Sequence, residues 1–191
     1  MLNGKAKAIL ATIRINRKLK GIKSRPFRKK QEWWRGSERT TIHIYGKLVN
    51  FTDVFTNFED IPAVRRVFGK DTDKVFSKLK VGIYDNMGYA WVDEGRNRLM
   101  ISKRYLEKGR LVYLYLDVVH ELVHFKQHMN GKNLWDMRYD YVDRPTEIEA
   151  YRACCAEAKR LGMNRREIAS YLYMNWLSKE QFNRLLKAAG C

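Results

Sequence analysis

The sequence predicts an α+β fold: a small mixed or antiparallel sheet, then a long helix, a second helix and C-terminal helices. Three observations lead there. Short apolar runs bounded by Gly, Asn and Asp fill the stretch from Thr40 to Ser102, which is how strands are punctuated. From Arg110 onward the apolar residues recur at helical spacing instead. The 191 residues are 45% hydrophobic and 13% aromatic, enough for one packed core and unlike a disordered chain. A sheet first and helices afterwards is the α+β order.

Residues 1–40 are read as a basic arm and 41–191 as the folded domain. The arm holds thirteen Lys or Arg against Glu32 and Glu38, a net +11 of the chain's +17. Within it, "KAILATIRINRKLKGI" spaces Ala6, Ile9, Ile13 and Leu19 for a short basic amphipathic helix. The segment "SRPFRKKQEWWRGS" follows, with Pro26 and Gly36 as punctuation and Trp33–Trp34 as an aromatic pair. Cations beside tryptophans can grip phosphates and stack bases, which makes nucleic acid a partner to consider for residues 1–40. The competing reading packs the tryptophans on the domain and leaves the cations solvated.

From Thr40 the composition is ordinary. "TTIHIYGKLVNF" reads as a strand through Ile42, Ile44 and Leu48. "DIPAVRRVFG" and "DTDKVFSKL" read as short helices capped by Asp60 and Asp71, with Gly69 ending the first. "KVGIYD" and "YAWVDEGRNRLMISKRYL" read as three strands, the last two a hairpin turning at Asp93–Asn97. A long helix covers Arg110–Asn130 and stops at Gly131. Thr146–Leu161 is a second helix, and capping boxes at Asn164–Glu167 and Ser178–Gln181 open two more.

Cys154, Cys155 and Cys191 make neither a disulfide framework nor a cysteine metal site. With no apolar signal at the N-terminus and no stretch long enough to span a bilayer, a reducing cytoplasm is the expected location.

The chemistry is concentrated in "DVVHELVHFKQHMNG". Residues four apart lie one above the other on a helix, so His120 and His124 can aim two imidazoles at one zinc ion. Glu121 sits one residue on, where its carboxylate reaches water held at the ion and takes its proton. Val118, Val119, Leu122, Val123 and Phe125 bury the motif, and buried unpaired histidines are costly unless something binds them. His128 continues the stripe, but three successive turns span too far for one ion.

A catalytic zinc normally holds three protein ligands. Six residues after His124 stands Asn130, not a histidine. The third ligand is sought in "DRPTEIEAYRACCAEAKRLG". There Glu147 shares a face with Ala150, Tyr151, Cys154, Ala158 and Leu161, whereas Glu149 lies with Ala153, Ala156 and Arg160. Thr146-x-x-Glu149 also fits a capping box, which gives Glu149 a structural task. Glu147 is taken as the ligand and Glu149 as the alternative. Oxyanion donors are sought among Arg138, Tyr139, Tyr141 and Arg144.

HELVH followed by a helix opening E-x-x-A resembles the gluzincin zinc metallopeptidases. Its compact size and "RPTEIEAY" are most similar to the minigluzincins, small self-inhibited prokaryotic proenzymes. The resemblance covers roughly Val81 to Gly162. It implies a zincin-like fold, zinc on His120, His124 and Glu147, Glu121 as general base, peptide or protein as substrate, and latency. It also implies that the strand in "RNRLMISKRYL" is a cleft-lining edge strand that pairs with extended peptide. Tyr151 stands where many gluzincins carry an acidic or amide residue that supports the site.

Overall fold

The computed structural model describes residues 4–35, 38–85 and 88–191, and the side chains of 31–42 are outside that description. The N-terminal region contains α1 (Gly4–Ala11), β1 (Arg14–Ile15) and a long hairpin of β2 (Arg25–Arg35) and β3 (Glu38–Asn50). Next come α2 (Phe51–Val54), β4 (Phe55–Thr56), α3 (Pro62–Phe68) and α4 (Thr72–Phe76). The sheet is completed by β5 (Lys80–Tyr84), β6 (Ala90–Asp93) and β7 (Arg98–Ser102). The rest is helical: α5 (Lys103–Lys108), α6 (Leu111–Met129), α7 (Pro145–Arg160), α8 (Arg165–Leu172) and α9 (Lys179–Ala189). The chain is therefore α+β, as expected.

The five-stranded sheet has the order β2-β3-β5-β7-β6, with β5 and β7 parallel and every other pair antiparallel. The expected hairpin is β6–β7, turning through Glu94–Arg96 with Asn97 left-handed at φ 46°. The resemblance implied that the strand in "RNRLMISKRYL" is the cleft-lining edge, and this is corrected: β7 lies between β5 and β6, and β6 is the edge on that side. The reason is burial. Arg98–Ser102 is buried throughout, as a strand paired on both sides and covered on both faces must be.

One face of the sheet packs on α6. Val81, Ile83, Val92, Leu99 and Ile101 share a core with Leu114, Leu116, Val119 and Leu122, extended by Phe51, Phe55, Phe58 and Phe76. The hairpin curls over the other face, where Ile44, Tyr84 and Met100 form a second cluster with Phe27 and Trp91. Two glycines allow the approach. A Cβ on Gly46 would lie 2.1 Å from the Ile83 carbonyl oxygen, and one on Gly82 would meet the Met100 sulfur at 2.4 Å.

Residues 1–40 contribute to this packing. Ala6, Leu10 and Ile13 are buried in the main core. Arg17 donates to the carbonyls of Leu106 and Gly109. Lys29 pairs with Asp93 at 2.6 Å and lies over the Trp91 ring, while Arg98 holds the other Asp93 oxygen. The Trp33–Trp34 pair and Ile42 fall outside the described side chains.

Three local expectations change. The N-cap of α3 is Ile61, with Asp60 in the preceding 3-10 turn and Pro62 at the first helical position. Thr146 does not cap α7, whose N-cap is Arg144. Cys155 and Cys191 form a disulfide that ties the end of the chain to α7, leaving Cys154 as a buried thiol. The capping boxes on α8 and α9 form with both reciprocal bonds. Among the described residues no helix is long and apolar enough to cross a membrane.

Candidate metal centre

The site is built where α6 and α7 cross. The two helices run antiparallel, and their contacts climb in step. The Tyr115 hydroxyl donates to Glu157 at 2.5 Å, His120 faces Tyr151, His124 faces Glu147, and Gln127 reaches the Thr146 carbonyl. Glu157 has no exposed surface and is also held by Arg160, so this buried polar link fixes the sliding register of the helices. The apolar residues around H-E-x-x-H sink α6 between the sheet and α7, which leaves His120, Glu121 and His124 9% exposed or less.

Two imidazoles and one carboxylate converge. His120 Nε2 and His124 Nε2 lie 3.3 and 3.4 Å from Glu147 Oε2. One ligand atom from each of the three residues lies within 4.8 Å of the others. Ligands about 2.0–2.1 Å from a tetrahedral zinc are separated by about 3.3–3.4 Å, so both nitrogen–oxygen distances match the edge of such a tetrahedron. Glu147 Oε2 is buried and accepts no directed hydrogen bond from either ring. An orphaned carboxylate oxygen flanked by two imidazole nitrogens is a donor set that could hold a divalent cation. The Glu147 carboxylate is oriented from its other side, with Arg144 Nη1 3.8 Å from Oε1.

The charges reinforce one another. Burial pushes Glu147 up, but the adjacent His120 and His124 outweigh it and hold its carboxyl well below the usual range. Burial pushes His124 down, but Glu147, Glu121 and Gln127 prevail and raise it to about 9. Glu121 is raised, chiefly by burial and against the two imidazoles. A raised pKa makes this carboxylate a stronger proton acceptor than an ordinary one.

His124 is oriented from behind. Its Nδ1 lies 2.8 Å from Gln127 Oε1, and Gln127 donates to the Thr146 carbonyl and to Glu149 Oε2. Glu149 also accepts from Lys132 at 2.7 Å. The alternative ligand therefore stands outside the cluster, in a chain that ends on the imidazole. Gln127→Leu keeps the volume and removes the acceptor for Nδ1–H. It is expected to weaken zinc affinity about 10–100-fold while one ion still binds per chain at saturation. Competition with a chromophoric chelator measures this, and an unchanged affinity would show that Gln127 does not orient the ring.

The remaining expected residues are dispersed. His128 turns to the β6–β7 connection, with Nε2 2.9 Å from Asn97 and Nδ1 3.6 Å from Glu94. Arg138 is paired with Asp136 in an exposed turn, and Tyr139 is exposed. Arg144 backs Glu147. Of the four oxyanion candidates Tyr141 is the one that lines the cleft, with its hydroxyl 2.7 Å from that of Tyr151 and kept protonated by burial.

The cleft encloses about 570 Å³ beside His120 and Glu121. One wall comes from β6 and the residue before it, through Ala90 and Tyr89. The opposite wall is Tyr171–Trp176, at and beyond the end of α8. Sequence reasoning missed Gln127, Asp117 and this C-terminal wall. The first two carried a usable signal, because they lie three residues from His124 and His120 on the same helix face. The wall had none, since its place depends on how α8 packs.

Compared with known proteins, the chain matches no family model, no curated protein and no solved structure.

Proposed function

We propose that the chain is a zinc-dependent peptidase of the gluzincin type, with His120, His124 and Glu147 holding the ion and Glu121 as general base. The observation that carries this reading is the meeting of two imidazole nitrogens and one carboxylate oxygen at tetrahedral-edge distances, with Glu121 beside them in an open cleft. Zinc bound there supplies a Lewis acid that polarises a carbonyl and acidifies water.

The protein's own residues do the rest. Glu121 takes the proton from the attacking water and returns it to the leaving amine. Arg144 and Gln127 keep Glu147 and His124 from turning away. The outer edge of β6 bounds the cleft and offers backbone groups to an extended peptide. Latency, the other implication of the resemblance, has only the nearness of Tyr171–Trp176 to the cleft in its favour. No described contact adds to the charge argument for nucleic acid on residues 1–40, where Arg17 and Lys29 already serve the fold.

The test is metal analysis beside proteolysis. The purified chain should hold one zinc, cleave an unstructured protein such as casein, stop on chelation and resume when zinc is returned. One zinc without cleavage would keep the centre and overturn the hydrolysis.

The pH dependence of zinc uptake has a defined sign. Without metal His124 is raised to about 9, so at pH 7 it must lose a proton before it can coordinate. Zinc uptake at pH 7 is expected to release about one proton from this imidazole, and apparent affinity should rise about tenfold per pH unit until it levels near 9. Titration calorimetry in buffers of different ionisation enthalpy reads the release, and none at pH 7 would contradict it.

A further inference from the structure

We propose that Asp117, with the tyrosines around it, forms a subsite for a positively charged nitrogen of the substrate, either a lysine or arginine side chain or a chain-terminal ammonium. The inference rests on the peptidase reading and names the substrate class of that same cleft.

Asp117 precedes Glu121 by four residues on α6, one turn away on the same face, and lines the cleft with it. Its carboxylate accepts from the hydroxyls of Tyr105 and Tyr171, the latter at 2.8 Å. Among the described residues no lysine or arginine pairs with it. In such a place a carboxylate lacks the lysine or arginine that usually balances it, and burial raises its pKa against the two hydroxyls and the charge of His120. A cation entering the cleft would supply that countercharge.

Both hydroxyl donors belong to aromatic pairs. Tyr105 meets Tyr89 edge-on at 5.0 Å, and Tyr171 tilts against Tyr113 at 5.3 Å. All four rings line the cleft, so an ammonium or guanidinium approaching Asp117 passes aromatic faces that attract it. One of the four rings already accepts a cation, for Arg110 lies over Tyr113 at 4.2 Å. A neutral apolar side chain would leave the carboxylate uncompensated, and an acidic one would be repelled. If Asp117 merely tied α6 to α5 and α8, its loss would lower stability without changing the preference for charge.

The test uses the full-length Glu121→Gln chain loaded with zinc, so that binding is read without turnover. End-blocked hexapeptides carrying lysine, arginine, norleucine or glutamate at each position in turn are titrated by calorimetry. A norleucine peptide with a free N-terminus is added as a separate arm. At one position lysine or arginine should bind at least tenfold tighter than norleucine, with glutamate weakest. A gain confined to the free-amine peptide would identify the chain-terminal ammonium instead. Adding Asp117→Asn should bring the difference within about twofold.

No separation of charged from neutral peptides in any arm, or a preference that survives Asp117→Asn, overturns the subsite. The first comparison keeps Asp117 intact, so it decides even where Asp117→Asn folds poorly. Tyr89→Ala, at the exposed rim, should reduce the preference about threefold. A chain that cleaves lysine and norleucine peptides equally retains the peptidase reading and loses this one. A chain that binds the cationic peptides selectively but never cleaves does the reverse.

Discussion

Glu121→Gln is expected to bind zinc like the parent chain and to cleave peptides about 10⁴-fold more slowly, the upper range for loss of a general base. The amide has the carboxylate's size and remains inside the same buried pocket, so packing of α6 against the sheet is preserved. What disappears is the proton acceptor. Burial raises Glu121 while His120 and His124 oppose it, so in the parent chain the acid limb of kcat/KM should sit above the ordinary carboxylate range. The charge of a bound ion acts in the opposite sense, and the observed limb reports the balance. Metal analysis with initial rates settles the role. A Glu121→Gln chain that keeps its zinc and retains more than a tenth of the parent rate would remove Glu121 as the base.

Much of this centre was legible because helices translate spacing into direction. His120 and His124 share a face at any i, i+4 spacing, and Glu147 was separable from Glu149 by the residues it aligns with. Ala150, Cys154, Ala158 and Leu161 are indeed buried at 1% exposure or less. The same reasoning misjudged what Glu149 does. Its spacing from Thr146 fitted a capping box, yet its partners are Gln127 and Lys132 on and beyond α6, which only the crossing of two helices supplies.

Strand order was less legible for a related reason. Arg98–Ser102 and Ala90–Asp93 form one hairpin, and nothing local decides which arm faces the cleft. The parallel pairing of β7 with β5 decides it, and that pairing depends on how the chain crosses from β5 to β7. The disulfide was unreadable because 36 residues separate Cys155 from Cys191, and only the return of α9 onto α7 brings their Cα atoms to 6.0 Å. Asp117 was passed over because its significance lies in Tyr105 and Tyr171, which arrive from two other helices.

Glu147→Ala is expected to cost the chain its zinc. A four-ligand structural site is worth about 10–16 kcal/mol, so one ligand carries roughly 3 kcal/mol, and affinity should fall a hundredfold or more. Two imidazoles remain, and two protein ligands are too few to close a zinc site. The loss also strands Arg144, which is buried and approaches the carboxylate at 3.8 Å, so the chain without metal should melt at lower temperature too. Glu149→Ala is the matched control. That side chain is 52% exposed and touches the centre only through Gln127, so its removal should cost at most the tenfold or so of a supporting contact. Zinc stoichiometry after dialysis against a weak chelator separates the two variants. If Glu149→Ala loses the ion while Glu147→Ala retains it, the third ligand is Glu149, and the face of α7 that the burial pattern selects is not the one that meets the metal.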